Sequence, residues 1–338
     1  MMTHPLWPAA AAFVFAAAAT KTVRALALRS GLMDHPSERS SHTRPTPRGG
    51  GAAIVAGFIA SLLWLSLAGG FAAREAAALA FGALAVAGVG ALDDRFTLPA
   101  RARLVVHFAA AGVAVAVIGG ITWRTSGSPG AAEIWAGRVF AVLAIVWAIN
   151  LFNFMDGIDG IASSEAVFIA GAGALLNWYL GGEGSLTVAF LCAAAASAGF
   201  LVWNWPPASI FMGDVGSGFL GFVLSALGLI AVERAVLPME VWPILGGVFF
   251  VDATVTLVRR VANGHRWHQA HRMHAYQHLA RRWGGHLPVT LAVNAVNVLW
   301  LLPCAVYAAL EPARAPLMMA VALLPLAVII VAAGAGKP

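Results

Sequence analysis

The chain has 338 residues, 60% of them hydrophobic and 11% charged, with a mean hydropathy of +0.81 and a formal net charge of +6. Soluble domains carry about 25% charged residues, so a water-soluble globular protein is excluded. With only Cys192 and Cys304 present, both in apolar runs, a disulfide framework or thiolate metal site is excluded as well.

A membrane-crossing helix needs roughly 20 apolar residues. About eleven such segments are expected, with cores near 6–28, 49–71, 75–92, 104–121, 138–152, 161–180, 186–203, 218–232, 239–258, 288–310 and 316–333. Alternating barrel patterning is absent, and lipid demands that backbone hydrogen bonds close within the segment, so the expected fold is all-α and polytopic, a single domain over 1–338. The abundant Ala and Gly suit close helix contact. The first segment does not read as a cleaved signal: "MMTHP" carries no basic residue, and Lys21, Arg24 and Arg29 follow the apolar run. That places the N-terminus outside the cytoplasm, in the periplasm. With strict alternation, only Arg74, Arg124, Arg138, Arg234 and Arg314 fall outside, which leaves 16 of the 21 Lys and Arg residues inside. The net charge therefore reflects topology and suits anionic headgroups and phosphates. No nucleic-acid motif is present.

Alternation also puts the unusual polar stretches on the inner side. The first is "MDHPSERSSHTRPTPRGGG" (33–51), then "ALDDRFTLPARAR" (91–103) with adjacent Asp93 and Asp94. "NLFNFMDGIDG" (150–160) carries Asp156 and Asp159, three apart and on one face if a helix runs through them. "NWPPASIFMGDVGSG" (204–218) sets Asp214 among glycines. Carboxylates with few basic partners in their own loops repel one another, and a hard cation completed by phosphates and water would relieve that. Glycines would let backbone N–H groups approach phosphate oxygens. The alternative, that Asp and Gly merely cap helices and build turns, is reasonable for one stretch and weak for all of them on one face.

The last inner stretch, 259–286, mixes six histidines with six arginines. His271, His274 and His278 stand at i, i+3, i+7, so a helix would align them for zinc. The preferred reading is a pyrophosphate or nucleotide site with planar Arg contacts, Trp267 or Tyr276 stacking on a base. The remaining option is a solvated basic loop. Asp252, within an apolar segment, is a functional candidate by default, but a structural role is the favoured reading, either a hydrogen bond to a neighbouring helix or a pair with an arginine of the following loop. Pro243, Gly246 and Gly247 are expected to kink that segment.

The ordered set "DHPSERSSHTRPTPRGGG", "LDD", "NLFNFMDGIDGIA", "FMGDVGS" and "AHRMHAYQ" resembles the polyprenyl-phosphate N-acetylhexosamine-1-phosphate transferases across most of the chain. "PTPRGGG" is similar to the WecA-type branch, and "AHRMHAYQ" to its WbpL-type, O-antigen-initiating members; it departs from the "HIHH"-like pattern of other WecA-type enzymes. The resemblance implies transfer of a sugar-1-phosphate from a UDP-N-acetylhexosamine to undecaprenyl phosphate at the cytoplasmic face of the bacterial inner membrane, with release of UMP. It implies Mg²⁺, with Mn²⁺ as a substitute, held by Asn153 and Asp214. It assigns Asp93 to activating the lipid phosphate, Asp94 to assisting, and Asp156 and Asp159 to shaping the nucleotide or sugar site. Arg259, His271, Arg272 and His274 would hold the diphosphate or sugar, Arg44 and Arg48 the lipid phosphate, and Asn150 would join the substrate-binding wall. Direct displacement and a covalent Asp intermediate both remain open, as do the donor sugar and a homodimer. The main rival is a polytopic transporter, which would place polar groups near the midplane and often show an inverted repeat. A CDP-alcohol phosphatidyltransferase would need a longer acidic run than "DGIDGIASSEA", and a scaffold would not need ordered carboxylates.

Overall fold

The computed structural model describes residues 6–36, 44–121, 130–265 and 272–337. Each long apolar run becomes a helix: α1 (Trp7–Ser30), α2 (Gly51–Leu67), α3 (Ala73–Phe96), α4 (Ala100–Ile118), α5 (Ala131–Met155), α6 (Ile161–Tyr179), α7 (Gly184–Asn204) and α8 (Asp214–Glu233). Then follow α9 (Val241–Leu245), α10 (Gly247–Ala262), the short α11 (Ala275–Arg282), α12 (His286–Val296), α13 (Leu302–Leu310) and α14 (Ala315–Ala332). The strands described are β1 (Met33–Asp34) and β2 (Thr46–Pro47), an antiparallel pair with Met33 opposite Pro47 and Asp34 opposite Thr46.

Among the described residues, nine helices are long and apolar enough to cross a membrane, the stretch His286–Leu310 counting as one. Eleven segments were expected. The difference falls on 49–71, where α2 is apolar but 17 residues long, and on 239–258, where the helix breaks at Gly246 as the Pro-Gly-Gly cluster predicts. The chain is an all-α, multi-pass membrane protein.

The most buried helix is α8, which packs between α3 and α5. Small residues set these spacings. A Cβ on Gly90 would strike the Asp214 backbone, and one on Gly51 would strike the Gly216 backbone, so the first turns of α2 and α8 and the last turns of α3 converge. At the opposite end Arg234 joins Glu75 (2.7 Å) and Glu183 (2.6 Å), tying α3, α7 and α8 together.

The stretch α12–α13 is continuous through a π-helical turn, Asn297–Leu301. Pro303 has no N–H to give the preceding turn, and a widened turn accommodates that loss. One face of α12 is polar. Thr290 Oγ1 donates to the Asp159 carbonyl (2.9 Å), Asn294 Nδ2 to Ser164 Oγ (3.0 Å), and Asn297 Nδ2 to Glu165 Oε2 (2.6 Å). Interhelical hydrogen bonds of this kind average about 0.6 kcal/mol in a membrane. Their greater effect is to fix the register of α12 against α6.

Candidate active site

The chain 47–51 runs beside 211–212, with Phe211 N–H donating to Pro47 O (2.8 Å), Gly50 N–H to Phe211 O (2.9 Å) and Gly51 N–H to Met212 O (2.9 Å). This ladder brings "PTPRGGG" against "FMGD" and delivers Arg48 to the N-terminus of α8. Arg48 Nη2 reaches Asp94 (2.6 Å) and Asp214 (3.1 Å). Asp94, almost fully buried, also accepts the N–H groups of Asp214 (2.8 Å) and Val215 (3.2 Å), so the last turn of α3 caps α8. Gly213 turns into that cap with φ +76° beside the Asp94 carboxylate. Asp93 accepts from Leu98 N–H and pairs with Arg103 Nη1 at 2.5 Å, while the same Nη1 reaches Asp214 at 3.0 Å. Two arginines thus hold three carboxylates. Burial opposes the charge on Arg48, but Asp94 and Asp214 outweigh it and raise the guanidinium pKa above its ordinary value.

In front of this cluster lies a cleft of two chambers. The inner one, about 210 Å³, is lined by Asp34, Arg48, Asn153, Asp156, Asp159, Asp214 and Ser217 among others. The outer one, about 900 Å³, is lined by Arg44, Arg272, Arg281, the Pro206–Ala208 turn and the start of α12. Asp159, Phe211, Gln277 and His286 border both chambers and form the neck between them. An acidic pocket therefore opens into a basic vestibule.

Asp156 and Asp159 lie in the loop between α5 and α6, because the helix stops at Met155 and Gly160 adopts φ +75°. Their environments differ. Asp159 accepts the Ala208 N–H (3.0 Å) on one oxygen and meets His286 Nδ1 (3.1 Å) on the other. Among the described residues, the Asp156 carboxylate has no hydrogen bond or ion pair. Burial, then the charges of Asp214, Asp94 and Asp159 working against Arg48, push its pKa well above the ordinary carboxylate range.

The wall opposite is α11, seated on Asp252. That fully buried carboxylate accepts the N–H groups of Ala275 (3.0 Å) and Tyr276 (3.1 Å) and the Thr256 hydroxyl (3.0 Å), and it meets His274 Nδ1 at 3.3 Å. Tyr276 then donates its hydroxyl to Phe154 O (3.1 Å), locking α11 onto the 150–160 stretch.

Of the expected site residues, Asn153, Asp156, Asp159, Asp214 and Arg48 line the inner chamber, and Arg44 and Arg272 the outer. Asp93 and Asp94 stand behind Asp214 and brace it. Asn150 bonds the Val146 carbonyl of its own helix (2.7 Å), Arg259 reaches the Ala335 carbonyl (2.5 Å), and His274 is buried against Asp252, so none of these three faces the cleft. His271 and Trp267 lie outside the described residues. His274 precedes the first residue of α11, so no helix carries both His274 and His278. Tyr276 is buried and bonded, so it is no stacking platform. His286 belongs to the 259–286 stretch read as a pyrophosphate or nucleotide site, whereas Arg103 is not among the expected site residues. Arg103 had been counted only as an inner-side charge. Its place nine residues beyond Asp94, across the "TLP" turn, was the available signal.

Among the described residues, no three His, Cys, Asp or Glu side chains are grouped to cage a metal. The oxygen set is still suited to a hard cation that keeps waters and shares substrate phosphates, which needs only one or two carboxylates. The uncompensated Asp156 beside Asp214 and the Asn153 amide is the feature such an ion would satisfy.

The helical membrane bundle carries an acidic pocket opening into a basic vestibule at one end, an arrangement suited to phosphorylated ligands. Comparison with known proteins specifies the class. The family described as Glycosyl transferase family 4 matches residues 76–232. The chain is 32% identical over 251 residues to the protein named "Probable undecaprenyl-phosphate N-acetylglucosaminyl 1-phosphate transferase" of Bacillus subtilis strain 168, covering 72% of this chain and 68% of that one. It is 32% identical over 307 residues to the decaprenyl-phosphate N-acetylglucosaminephosphotransferase of Mycobacterium tuberculosis H37Rv, covering 81% and 75%. It is 30% identical over 233 residues to the phospho-N-acetylmuramoyl-pentapeptide-transferase of Geobacillus thermodenitrificans, covering 64% and 69%. The chain belongs to glycosyl transferase family 4 and is a glycosyl-1-phosphate transferase.

Proposed function

We propose that the protein transfers an N-acetylhexosamine-1-phosphate from a UDP-sugar to undecaprenyl phosphate, as the first step of an O-antigen or other envelope polysaccharide, at the cytoplasmic face of a bacterial inner membrane. A P–O bond forms between the lipid phosphate and the sugar-bearing phosphorus. The bond from that phosphorus to the bridging oxygen breaks, and UMP leaves with that oxygen. The relatives' named acceptors, undecaprenyl and decaprenyl phosphate, and the N-acetylglucosamine phosphate they are named for transferring support this reading. The observation that carries it is the pairing of an acidic inner chamber with a basic outer one at the same membrane end.

The outer chamber, with Arg44, Arg272 and Arg281, attracts the anionic donor. Arg48 and Arg103 hold Asp214 and keep both substrates' negative charge balanced near α8. Asp93 and Asp94 keep those arginines and the α8 N-terminus in place. Asp214, Asp156 and Asn153 would hold Mg²⁺, which when bound supplies neutralisation of the diphosphate and of the departing UMP. A phosphate monoester has its second pKa near 6, so the acceptor is largely a dianion at neutral pH. Bringing two anions together is the harder task, and it is met by positioning.

The test is a transfer assay in detergent with undecaprenyl phosphate, Mg²⁺ or Mn²⁺ and a panel of UDP-N-acetyl sugars. Lipid-dependent UMP release that stops with a chelator is expected, with one sugar preferred. No release with any sugar, from folded protein, would overturn the reading in favour of a transport role.

A further inference from the structure

The first turn of α11 fixes which end of one amide faces the cleft. Gln277 is the third residue of that helix, and its Oε1 accepts the His274 backbone N–H (3.3 Å). A backbone N–H can only donate, so the atom it meets is the amide oxygen and Nε2 is the other end. That nitrogen lies against the "DGIDG" loop, where a Cβ on Gly157 would come 3.2 Å from it. Gln277 is only 7% exposed, yet among the described residues Nε2 has no acceptor. The residue borders both chambers. A nearly buried donor without a protein acceptor is costly, and an acceptor on a ligand removes that cost.

We propose that the Gln277 amide donates to an oxygen of the donor's diphosphate at the neck between the chambers, while its own oxygen holds the start of α11. This rests on the nucleotide-sugar reading above. The neck is where a diphosphate lies if the nucleotide occupies the basic vestibule and the sugar-bearing phosphate enters the acidic chamber. A guanidinium at that point would compete with a cation for the acids of the inner chamber. A neutral amide gives the phosphate an N–H and leaves those acids to the cation. Because the oxygen end is held by the helix, the N–H is aimed before the donor arrives, and little side-chain entropy is lost on binding.

The experiment measures binding to the detergent-solubilised protein with Mg²⁺ and without acceptor. Calorimetry gives the Kd of UDP and of the tightest-binding UDP-N-acetyl sugar, and displacement of UDP gives the Kd of uridine. Steady-state assays add UDP-sugar KM and polyprenyl-phosphate KM. The variants are Gln277→Ala and Gln277→Met, the second keeping the length of the side chain without its amide. A lost hydrogen bond to a charged group is worth about tenfold or more in binding. Both variants should raise the Kd of UDP and of the UDP-sugar by about that factor, and UDP-sugar KM with them. Uridine Kd and polyprenyl-phosphate KM should hold. An unchanged UDP Kd in the variants would overturn the proposal. So would an equal loss for uridine, which marks a general loosening of the vestibule, and so would a loss confined to the UDP-sugar, which places the amide on the sugar. Melting curves identify a variant that fails to fold, and the other then decides. If wild-type protein binds UDP-sugar but releases no UMP, the reaction reading falls while the calorimetry still tests Gln277.

Discussion

At the residue scale, the site is an arrangement of acids with unequal support. Asp94 and Asp93 are saturated by Arg48, Arg103 and backbone N–H groups, whereas Asp156 faces the inner chamber uncompensated. A carboxyl whose folded pKa is raised keeps its proton in the native state longer than in the unfolded one. Cation-free stability should therefore fall as pH rises from the ordinary carboxylate pKa near 4 through the raised value, and level off above it. Asp156→Asn should make that slope shallower, the neighbouring carboxyls of Asp214 and Asp94 supplying the rest, and raise the cation-free melting temperature by a few degrees while lowering activity at least ~100-fold. On the proposed Mg²⁺ site, wild-type protein should melt higher with Mg²⁺ than with chelator, and Asp156→Asn should shrink that difference. Arg103→Ala should lower kcat by about 100-fold, with Arg103→Lys recovering only part, because one ammonium cannot reproduce the planar guanidinium that reaches both Asp93 and Asp214. The sequence disclosed Asp156 and Asp214 by residue type and setting. It did not disclose Arg103, because a positive charge after an inner helix end is already demanded by topology.

At the element scale, the same device appears twice: a buried aspartate of a membrane helix receives the first N–H groups of the helix that walls the site. Asp94 does this for α8 and Asp252 for α11. Asp252→Asn should cost about 2 kcal/mol and speed amide exchange across 275–282, with activity falling as Tyr276 and Gln277 lose their seat. Hydrogen exchange read by mass spectrometry checks this. An exchange rate unchanged across α11 would count against the capping role. The structural role of Asp252 was legible in its apolar setting. Its partner was not, since nothing local relates residue 252 to the backbone at 275–276. The histidine spacing carries little for a related reason: periodicity presumes a helix, and α11 begins one residue after His274.

At the scale of the whole molecule, hydropathy disclosed the class and most segment positions, because lipid leaves the backbone few options. It could not give the break at Gly246 its consequence, or show that Asn150 and Arg259 turn away from the cleft, since side-chain direction depends on packing. Orientation is open to a direct check. A cysteine at Arg281 should resist an impermeant maleimide until cells are permeabilised, and one at Glu183 should react from outside; the native Cys192 and Cys304 are buried and should stay silent. The cap of α8 by Asp94 has a further consequence, for biogenesis. The two groups are 120 residues apart, and at roughly 5–20 residues per second of synthesis Asp94 reaches the membrane some 6–24 s before its partner exists. Throughout that interval the growing chain carries an acid at the bilayer edge with no helix to receive it. Catalytic competence then arrives in one late event, when α8, α11 and α12 close over the earlier helices, so a truncated or misinserted chain should have no partial activity.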